Sequence, residues 1–515
     1  MAVAEFKNEQ TVEWTQPENE KLLREKIYEI QSQFSEHYPL IIGEDRIYSE
    51  KKIPSYNPSN HEQVVGYTSQ ATQQDIEKAI GVAWNTFESW RSKTFRERAN
   101  YLFKAAEVFR KRKAELIAWH VMEAGKNWTE SDGDINEAID FLEIYGRKAM
   151  QMERDGDLIR QPGIDNNLEY LPLGVGVIIP PWNFPFAILT GMTAAAIVTG
   201  NTVLVKPSSL TSVIGSKFME ILDEINLPDG VVNFVPGSSR EIGDFMVGHR
   251  DVNFISFTGS KEAGVHIDET AHKKVQEQRW IKRVISEMGG KDGIVVDESA
   301  DLEAAAEAIV VSAFRFQGQK CSAGSRAIIH ENIYEPLIDK IVSRTKQLTQ
   351  GSPVDNNDMG PVIDRSSFTN ISQYIESGKK ESVLACGGGT DDSYGYFIEP
   401  TIFIDAPADS LIMKEEIFDP VLAISKVSSV KEGIEVFNNT EYGLTGSLFT
   451  QNRDHMEYAR RHMVCGNLFF NGKCTGAVVG VQPFGGYYMS GTGAKTGSLD
   501  YLKHFVQSKT ISEIL

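Results

Sequence analysis

The chain has 515 residues, more than one hydrophobic core usually supports, so at least two domains are expected. With 52 basic against 71 acidic residues, its net charge of −19 argues against nucleic acid and against an anionic membrane surface, leaving small molecules as partners. Four cysteines without C-x-x-C spacing are too few for a disulfide framework and suggest a reducing compartment. The polar, acidic start of the chain reads as neither signal nor transit peptide, and no apolar run reaches the ~18 residues of a membrane span. A soluble cytoplasmic protein is the expectation.

Leu22, Leu23, Ile27, Ile30 and Phe34 recur at helical spacing between Glu18 and His37, which predicts a structural helix packed on the body. Short strands are expected at 50–70, around Asn57-Pro-Ser, followed by charged amphipathic helices from Gln73 to Gln151. Within them Ser131-Asp-Gly-Asp-Ile reads as a loop or cap, because Asp and Gly compete with helix. The acidic residues there read as a solvated surface unless Glu137 or Asp140 lines a cleft. Residues 156–173 read as a hairpin, two short strands (Asp157–Arg160 and Leu168–Leu171) around Pro162-Gly163, packed against something larger.

From Val175 the pattern becomes regular. Unbroken apolar runs at Val175–Ile179, Thr202–Lys206, Val231–Val235, Asn253–Phe257 and Lys282–Glu287 alternate with helical patterns beginning near Phe186, Thr211, Arg240 and Lys261. Such alternation predicts a parallel sheet covered on both faces, with ligands outside the carboxyl ends of its strands. Those ends carry Pro180-Pro-Trp-Asn183, Lys206-Pro-Ser-Ser209, Pro236-Gly237, Thr258-Gly-Ser260 and Met288-Gly-Gly290. No G-x-G-x-x-G or Walker fingerprint follows any of them. Gly259–Gly264 puts a glycine and a hydroxyl at a helix start, a place for a phosphate, though Ser260 there is equally an ordinary N-cap.

A second α/β unit begins after Gly290, with a strand at Gly293–Val296, a helix at Asp301–Phe316 and a strand at Ala327–His330. Further strands are expected near Thr401–Ile404 and Val421–Val427, and helices near Lys431 and Arg453. Between the first helix and strand lies Arg315-Phe-Gln-Gly-Gln-Lys-Cys-Ser-Ala-Gly-Ser325, a polar glycine-bearing loop around Cys321. Taken alone, Cys321 reads as a small buried hydrophobe. As a nucleophile it must be thiolate, which at the free pKa of about 8.5 is a few per cent of the population, so its neighbours, Lys320 among them, would have to activate it. Met413–Phe418 reads as a surface turn. Asn471–Gly491 is too glycine-rich for a regular element, yet its Val478, Val479, Pro483 and Phe484 are more apolar than a solvated tail needs.

Together these pieces resemble the aldehyde dehydrogenase superfamily over nearly the whole chain. Pro181-Trp-Asn-Phe-Pro185, Lys206-Pro-Ser208, Phe257-Thr-Gly-Ser260, Glu287-Met-Gly-Gly-Lys291, Gly318-Gln-Lys-Cys321, Glu415-Glu-Ile-Phe418 and Pro483-Phe-Gly-Gly486 match its motifs in order. The stretches Phe316–Ala323 and Thr475–Gly486, with Asp500-Tyr-Leu502, are most similar to its branch of 1-pyrroline-5-carboxylate (L-glutamate γ-semialdehyde) dehydrogenases of proline and arginine breakdown.

The resemblance implies an α/β fold: a doubly wound NAD-binding domain (1–155 and 174–290), a catalytic domain (291–486) and a β-hairpin oligomerisation flap (156–173 and 487–515) of a homo-oligomer. It implies Cys321 as nucleophile, Glu287 as the group that activates water, and Asn183 as an oxyanion donor. For NAD it implies Ile179, Pro181, Trp182, Lys206, Ser208, Ser209, Gly237, Gly243, Thr258, Gly259, Ser260, Gly264, Met288, Gly289, Glu416 and Phe418. For the aldehyde it implies Ser322, Gly476 and Ala477 at the α-carboxylate, with Phe184 and Phe484 flanking the aliphatic part; no metal is implied. Rival readings are an aldehyde dehydrogenase of other specificity, a CoA-acylating one, which would need no Glu287, and a non-catalytic protein on the same fold. Three residues depart from the family pattern: Ser209 stands where Glu is frequent, so that NADP would be tolerated beside NAD, Asp419 stands where Gly is usual, and Arg315 stands where a small residue is expected.

Overall fold

A computed structural model of the chain describes residues 4–153, 158, 159 and 161–515. Two seven-stranded sheets organise it. In the first, the strand order is Arg283–Glu287, Phe254–Thr258, Val175–Ile179, Thr202–Val205, Val232–Phe234, Leu40–Ile42, Asp45–Ile47. The first five are parallel and the last two antiparallel. The chain starts in the middle at Val175, winds outward through Thr202 and Val232, then returns to the other side of Val175 for Phe254 and Arg283. That reversal places a crevice at the carboxyl ends of Val175–Ile179 and Phe254–Thr258, where doubly wound sheets bind ligands.

The strands are buried on both faces, which is why they read as unbroken apolar runs rather than alternating ones. Gly176 pairs with Phe254, and a Cβ on it would lie 2.0 Å from that ring, so only glycine lets the two strands pack at this register. The helices Gln73–Arg91, Phe95–Lys111 and Trp128–Met152, with Ala187–Val198 and Ser212–Glu224, cover the sheet. Thr72 and Thr94 start the first two with capping boxes completed by Asp75 and Glu97.

The second sheet has the order Val383–Cys386, Thr401–Ile404, Val421–Val427, Arg326–His330, Gly293–Val296, Thr445–Phe449, Asn467–Phe470. All its neighbours are parallel except Val383–Cys386, which runs antiparallel at the edge. Four helices pack on it: Leu302–Phe314, Tyr334–Thr345, Arg365–Glu381 and Val430–Asn438.

One expectation from the sequence is corrected here. Ser131–Ile135 is no loop: it lies inside the 25-residue helix Trp128–Met152, and Ser131, Asp132 and Asp134 are buried. Tertiary partners outweigh local propensity. Asp132 accepts from the Trp14 indole (2.9 Å), and Asp134 faces Lys126 (2.7 Å) while accepting from the Ala187 N–H (2.7 Å).

The hairpin expected at 156–173 is described only in its second half. Its first half falls largely outside the described residues, and Ile164–Pro172 takes its partner from the far end of the chain, Val506–Ile514, in nine antiparallel pairs. Alternating burial along Ile164–Pro172 matches a ribbon with one face toward solvent. The rest of the C-terminal segment does other work. Tyr487–Tyr488 pairs with Tyr442–Gly443, and Tyr501, Leu502 and Phe505 enter the core of the first sheet. Among the described residues no helix is long and apolar enough to cross a membrane.

Candidate active site

A cleft of about 950 Å³ runs along the carboxyl ends of the first sheet and closes at Cys321, in the second unit. After Val175–Ile179 it is lined by Ile179, Pro181, Trp182 and Asn183, and after Thr202–Val205 by Lys206, Ser208 and Ser209. The next strand ends contribute Gly237, then Thr258, Gly259 and Ser260, then Met288 and Gly289. Glu416 and Phe418 close it from the second unit, Phe418 edge-on to Trp182 with ring centroids 5.5 Å apart. Gly243 and Gly264 are absent from this lining. Gly264 lets helix Lys261–His272 approach Met288, whose sulfur would lie 2.4 Å from an added Cβ.

The reading of Met413–Phe418 as a surface turn is overturned by Glu416, whose carboxylate is tucked against the end of strand Arg283–Glu287. Glu416 accepts from the Gly290 N–H at 2.9 Å, and a Cβ on Gly289 would fall 1.9 Å from its Oε2. Burial pushes its pKa up to about 7. Lys206 is buried, and desolvation lowers its pKa to about 8. Ser260 caps its helix through an Oγ that accepts from the Ala263 N–H, while Ser209 is exposed on the cleft.

The cysteine loop is held in an unusual backbone. Phe316 and Gln317 have φ of 52° and 55°, and Gly318 follows at 67°. Left-handed non-glycine residues cost on the order of 1–3 kcal/mol each, so packing must hold them. Gln317 donates to the Pro361 carbonyl (2.8 Å), and Gln319 accepts from the Ile363 N–H (2.9 Å). Gly318 has no alternative: an added Cβ would sit 1.9 Å from the Asp419 carbonyl oxygen. The loop bearing Cys321 and the loop bearing Glu416 are thus interlocked through their backbones.

Asn183 donates its side-chain amide to the Gln319 carbonyl at 3.0 Å. An amide has two N–H groups, so this bond orients the group and leaves a second donor. Glu287 is buried, and burial raises its pKa well above the usual carboxyl value against the opposing Lys495 ammonium and the Gly486 N–H. Cys321 is half-buried at the closed end of the cleft. Burial, then the carboxylates of Asp292, Glu416, Glu287 and Glu137, push its pKa well up. Lys320, the activating neighbour anticipated from the sequence, is turned away and pairs with Glu130 at 2.6 Å.

On the far side of Cys321 the structure brings distant segments together. The Ser322 hydroxyl meets the Thr475 hydroxyl at 2.8 Å, which ties the residue after Cys321 to the segment that continues into Gly476 and Ala477. Gly476 takes φ +75°, and Phe484 is locked to Thr496 by two backbone bonds of 3.1 and 2.8 Å. Phe184 lies 6.3 Å from Phe316, edge-on, and the fully buried Lys126 ammonium sits over both rings, at 3.9 and 4.5 Å. Glu137 is half-buried, and burial beside Asp134 and Asp140 raises its pKa to about 8. The acidic cluster on that helix is therefore part of the site's surroundings, not a solvated face.

The residues that sequence reasoning missed are Lys126, Asp134, Thr475 and Lys495. Lys126 and Asp134 stand eight residues apart on either side of a helix start, and nothing local marks them as a buried pair. Arg315 faces a second, polar pocket of about 280 Å³ with Glu130, Glu307 and Arg344. Asp419 is buried, accepts from the Val421 N–H at 3.2 Å and faces the buried Lys291 ammonium, burial raising its pKa to about 8. The structure gives no reason for aspartate rather than glycine there.

The profile of the aldehyde dehydrogenase family matches residues 47–511. A 1-pyrroline-5-carboxylate dehydrogenase of Bacillus cytotoxicus is 50% identical over 515 residues, and one of Bacillus cereus is 51% identical, each alignment covering 100% of both chains. The crystal structure of a Thermus 1-pyrroline-5-carboxylate dehydrogenase with bound NAD superposes with a TM-score of 0.98 at 45% identity, covering 100% of both chains.

Proposed function

This chain belongs to the aldehyde dehydrogenase family, and from that membership and the site's geometry we propose the reaction and the roles that follow. It oxidises L-glutamate γ-semialdehyde, the open form of 1-pyrroline-5-carboxylate, to L-glutamate with NAD, a step of proline and arginine breakdown. The observation that carries the substrate is the hydrogen bond between Ser322, directly beyond Cys321, and Thr475, the residue that precedes Gly476 and Ala477. A hydroxyl and preorganised backbone N–H groups suit a carboxylate without ordering a long side chain. Phe184 and Phe484 flank the aliphatic part.

The cleft fits NAD. Lys206 offers a buried ammonium with no counter-ion among the described residues, fit for ribose hydroxyls, and Thr258–Ser260 offer backbone and hydroxyl groups at a helix start for the pyrophosphate. Glu416 and Phe418 lie at the nicotinamide end. When bound, NAD supplies the hydride acceptor. The chain supplies the rest: Cys321 Sγ bonds to the aldehyde carbon, and the oxygen's growing charge is met by the free N–H of Asn183 and the Cys321 backbone N–H. Loss of hydride from that carbon leaves a thioester on Cys321. Glu287 takes a proton from water, whose oxygen displaces the sulfur and releases the acid. A carboxyl with a raised pKa is a stronger base once ionised, which suits this step.

The two sheets support a division into an NAD-binding half (1–155 and 174–290) and a catalytic half (291–486). The ribbon of 164–172 with 506–514, exposed along much of its length, supports homo-oligomer formation. A cytoplasmic location accords with the sparse cysteines, all four of them free. The test is NADH formation with glutamate semialdehyde against pentanal, which lacks the α-carboxylate. A much higher kcat/KM for the semialdehyde is expected, since pentanal leaves buried donors unpaired. Equal values would return the chain to the general aldehyde class.

A further inference from the structure

Residues 4–16 form no helix or strand, yet they are tied down along the helix Trp128–Met152. Arg147 donates to the Ala4 carbonyl (2.9 Å), the Glu9 N–H donates to Asp140 Oδ1 (2.7 Å), and the Trp14 indole donates to Asp132 (2.9 Å). One side chain of this arm reaches further. The Asn8 amide nitrogen donates both to Asp140 Oδ2 (2.8 Å) and to the carbonyl of Val479 (2.9 Å), two residues beyond Ala477. The next residue, Gly480, has φ +78°, and an added Cβ would lie 2.7 Å from Ile144 and 3.1 Å from the Phe6 ring.

The loop so gripped belongs to no sheet. Its internal bonds make a tight turn, in which the Val481 and Gln482 N–H groups both donate to the Val478 carbonyl and the Val478 N–H donates to Gln482 Oε1. Such a turn fixes its own shape but not its height above Cys321. Thr475 ties one end of the loop to Ser322 and Phe484 ties the other to Thr496; between those ends, Val479 and Gly480 rest on the arm, on the helix beneath it and against Gly497.

We propose that the N-terminal arm is a strap, and that Asn8 is a positioning residue which sets the Gly476–Ala477 backbone N–H groups at the distance a substrate carboxylate needs. This rests on the reading above that Ser322, Gly476 and Ala477 receive the α-carboxylate. The strap touches none of the cofactor cleft, so its loss weakens ligands bearing that carboxylate and leaves NAD and simple aldehydes alone.

The experiment uses full-length wild type, Asn8→Ala and Phe6→Ala. Thermal melting and NAD titration come first, then KM and kcat for glutamate semialdehyde and pentanal, and competitive inhibition by L-glutamate. Cutting one useful hydrogen bond at the loop should raise the semialdehyde KM and the L-glutamate inhibition constant together, by about five- to tenfold. The kcat, the NAD affinity and the pentanal kcat/KM should stay within about twofold. Unchanged semialdehyde and L-glutamate constants in a folded variant overturn the strap, and so does an equal loss for both aldehydes and NAD. Phe6→Ala, which leaves both Asn8 bonds in place, carries the same readouts should Asn8→Ala fail to fold. A wild type indifferent to the carboxylate instead overturns the substrate reading itself, and the inference with it.

Discussion

The two sides of Cys321 are built on different principles. On the cofactor side, successive strands of one parallel sheet each end in a short polar or glycine-bearing segment, and the cleft is the row of those ends. On the substrate side, segments near residues 8, 126, 134, 184, 316, 322 and 475 are drawn together by buried charges and rings. The first is a property of the fold, repeated at each strand end. The second is a network in which each group is satisfied only by others, so single changes should propagate.

The largest expected effect lies where the two sides meet. Cys321→Ala should reduce aldehyde oxidation below a few per cent while folding and NAD binding persist, as fluorescence titration would register. The same change at Cys386, Cys465 or Cys474 should leave turnover nearly untouched. Substantial residual activity in Cys321→Ala would sink the covalent mechanism.

Asn183→Ala removes one oxyanion donor and should lower kcat by roughly 10²–10³. Glu287→Gln should differ in kind rather than size: rapid-quench or stopped-flow traces should show a burst of one NADH per active site followed by slow turnover. In the wild type, kcat/KM should rise with pH through neutrality. Both Cys321 and Glu287 have pKa values raised by burial, and both act in their deprotonated forms. A flat profile between pH 6 and 9 would remove that assignment.

Lys126→Met tests the network itself. It strands Asp134 in the core, and breaking a buried pair costs about 3–5 kcal/mol. Burial works against the Asp134 carboxyl, but Lys126 and His120 hold its pKa down at about 2. That depressed value contributes stability above the unfolded pKa, and the contribution is lost as pH falls through the folded one. The variant should therefore melt earlier near neutrality and lose part of the acid-side decline in stability, measured by thermal denaturation across pH. A melting temperature matching wild type at pH 7 would show the pair to be dispensable.

The smallest effect belongs to the cofactor side, as its modular construction implies. Ser209 is exposed and lines the cleft together with Lys206, Lys52 and Arg240, and among the described residues Glu416 is the only acidic side chain in that lining, so none is placed beside Ser209 to repel a 2′-phosphate. Steady-state assays at matched ionic strength should find NAD used and NADP tolerated. Ser209→Glu should suppress NADP selectively with little change for NAD. Undetectable NADP activity in the wild type would show that another group guards the ribose.

Much of the cofactor side was legible beforehand. Five strands read from apolar runs fall within about a residue of those observed, and their carboxyl ends carry the cleft, because parallel strands buried on both faces leave a local signature. The family motifs around Asn183, Glu287 and Cys321 were equally legible as motifs. Several strands at or next to the edges of the second sheet were not: Val383–Cys386, Thr445–Phe449 and Asn467–Phe470 are short and carry no distinctive pattern.

What the sequence alone determined is what short range controls: the alternation of strand and helix, the strand-end residues, and the chemistry available at Cys321. What only the tertiary structure decided is where charge and chain ends go. Asp132 and Asp134 sit in a helix despite their propensity, Ile164–Pro172 pairs with Val506–Ile514 from the far end of the chain, and Lys320 turns to Glu130 instead of to the cysteine beside it. Each outcome depends on desolvation and on partners distant in sequence, and a buried charge or an open strand edge takes whichever partner the packed core brings within reach.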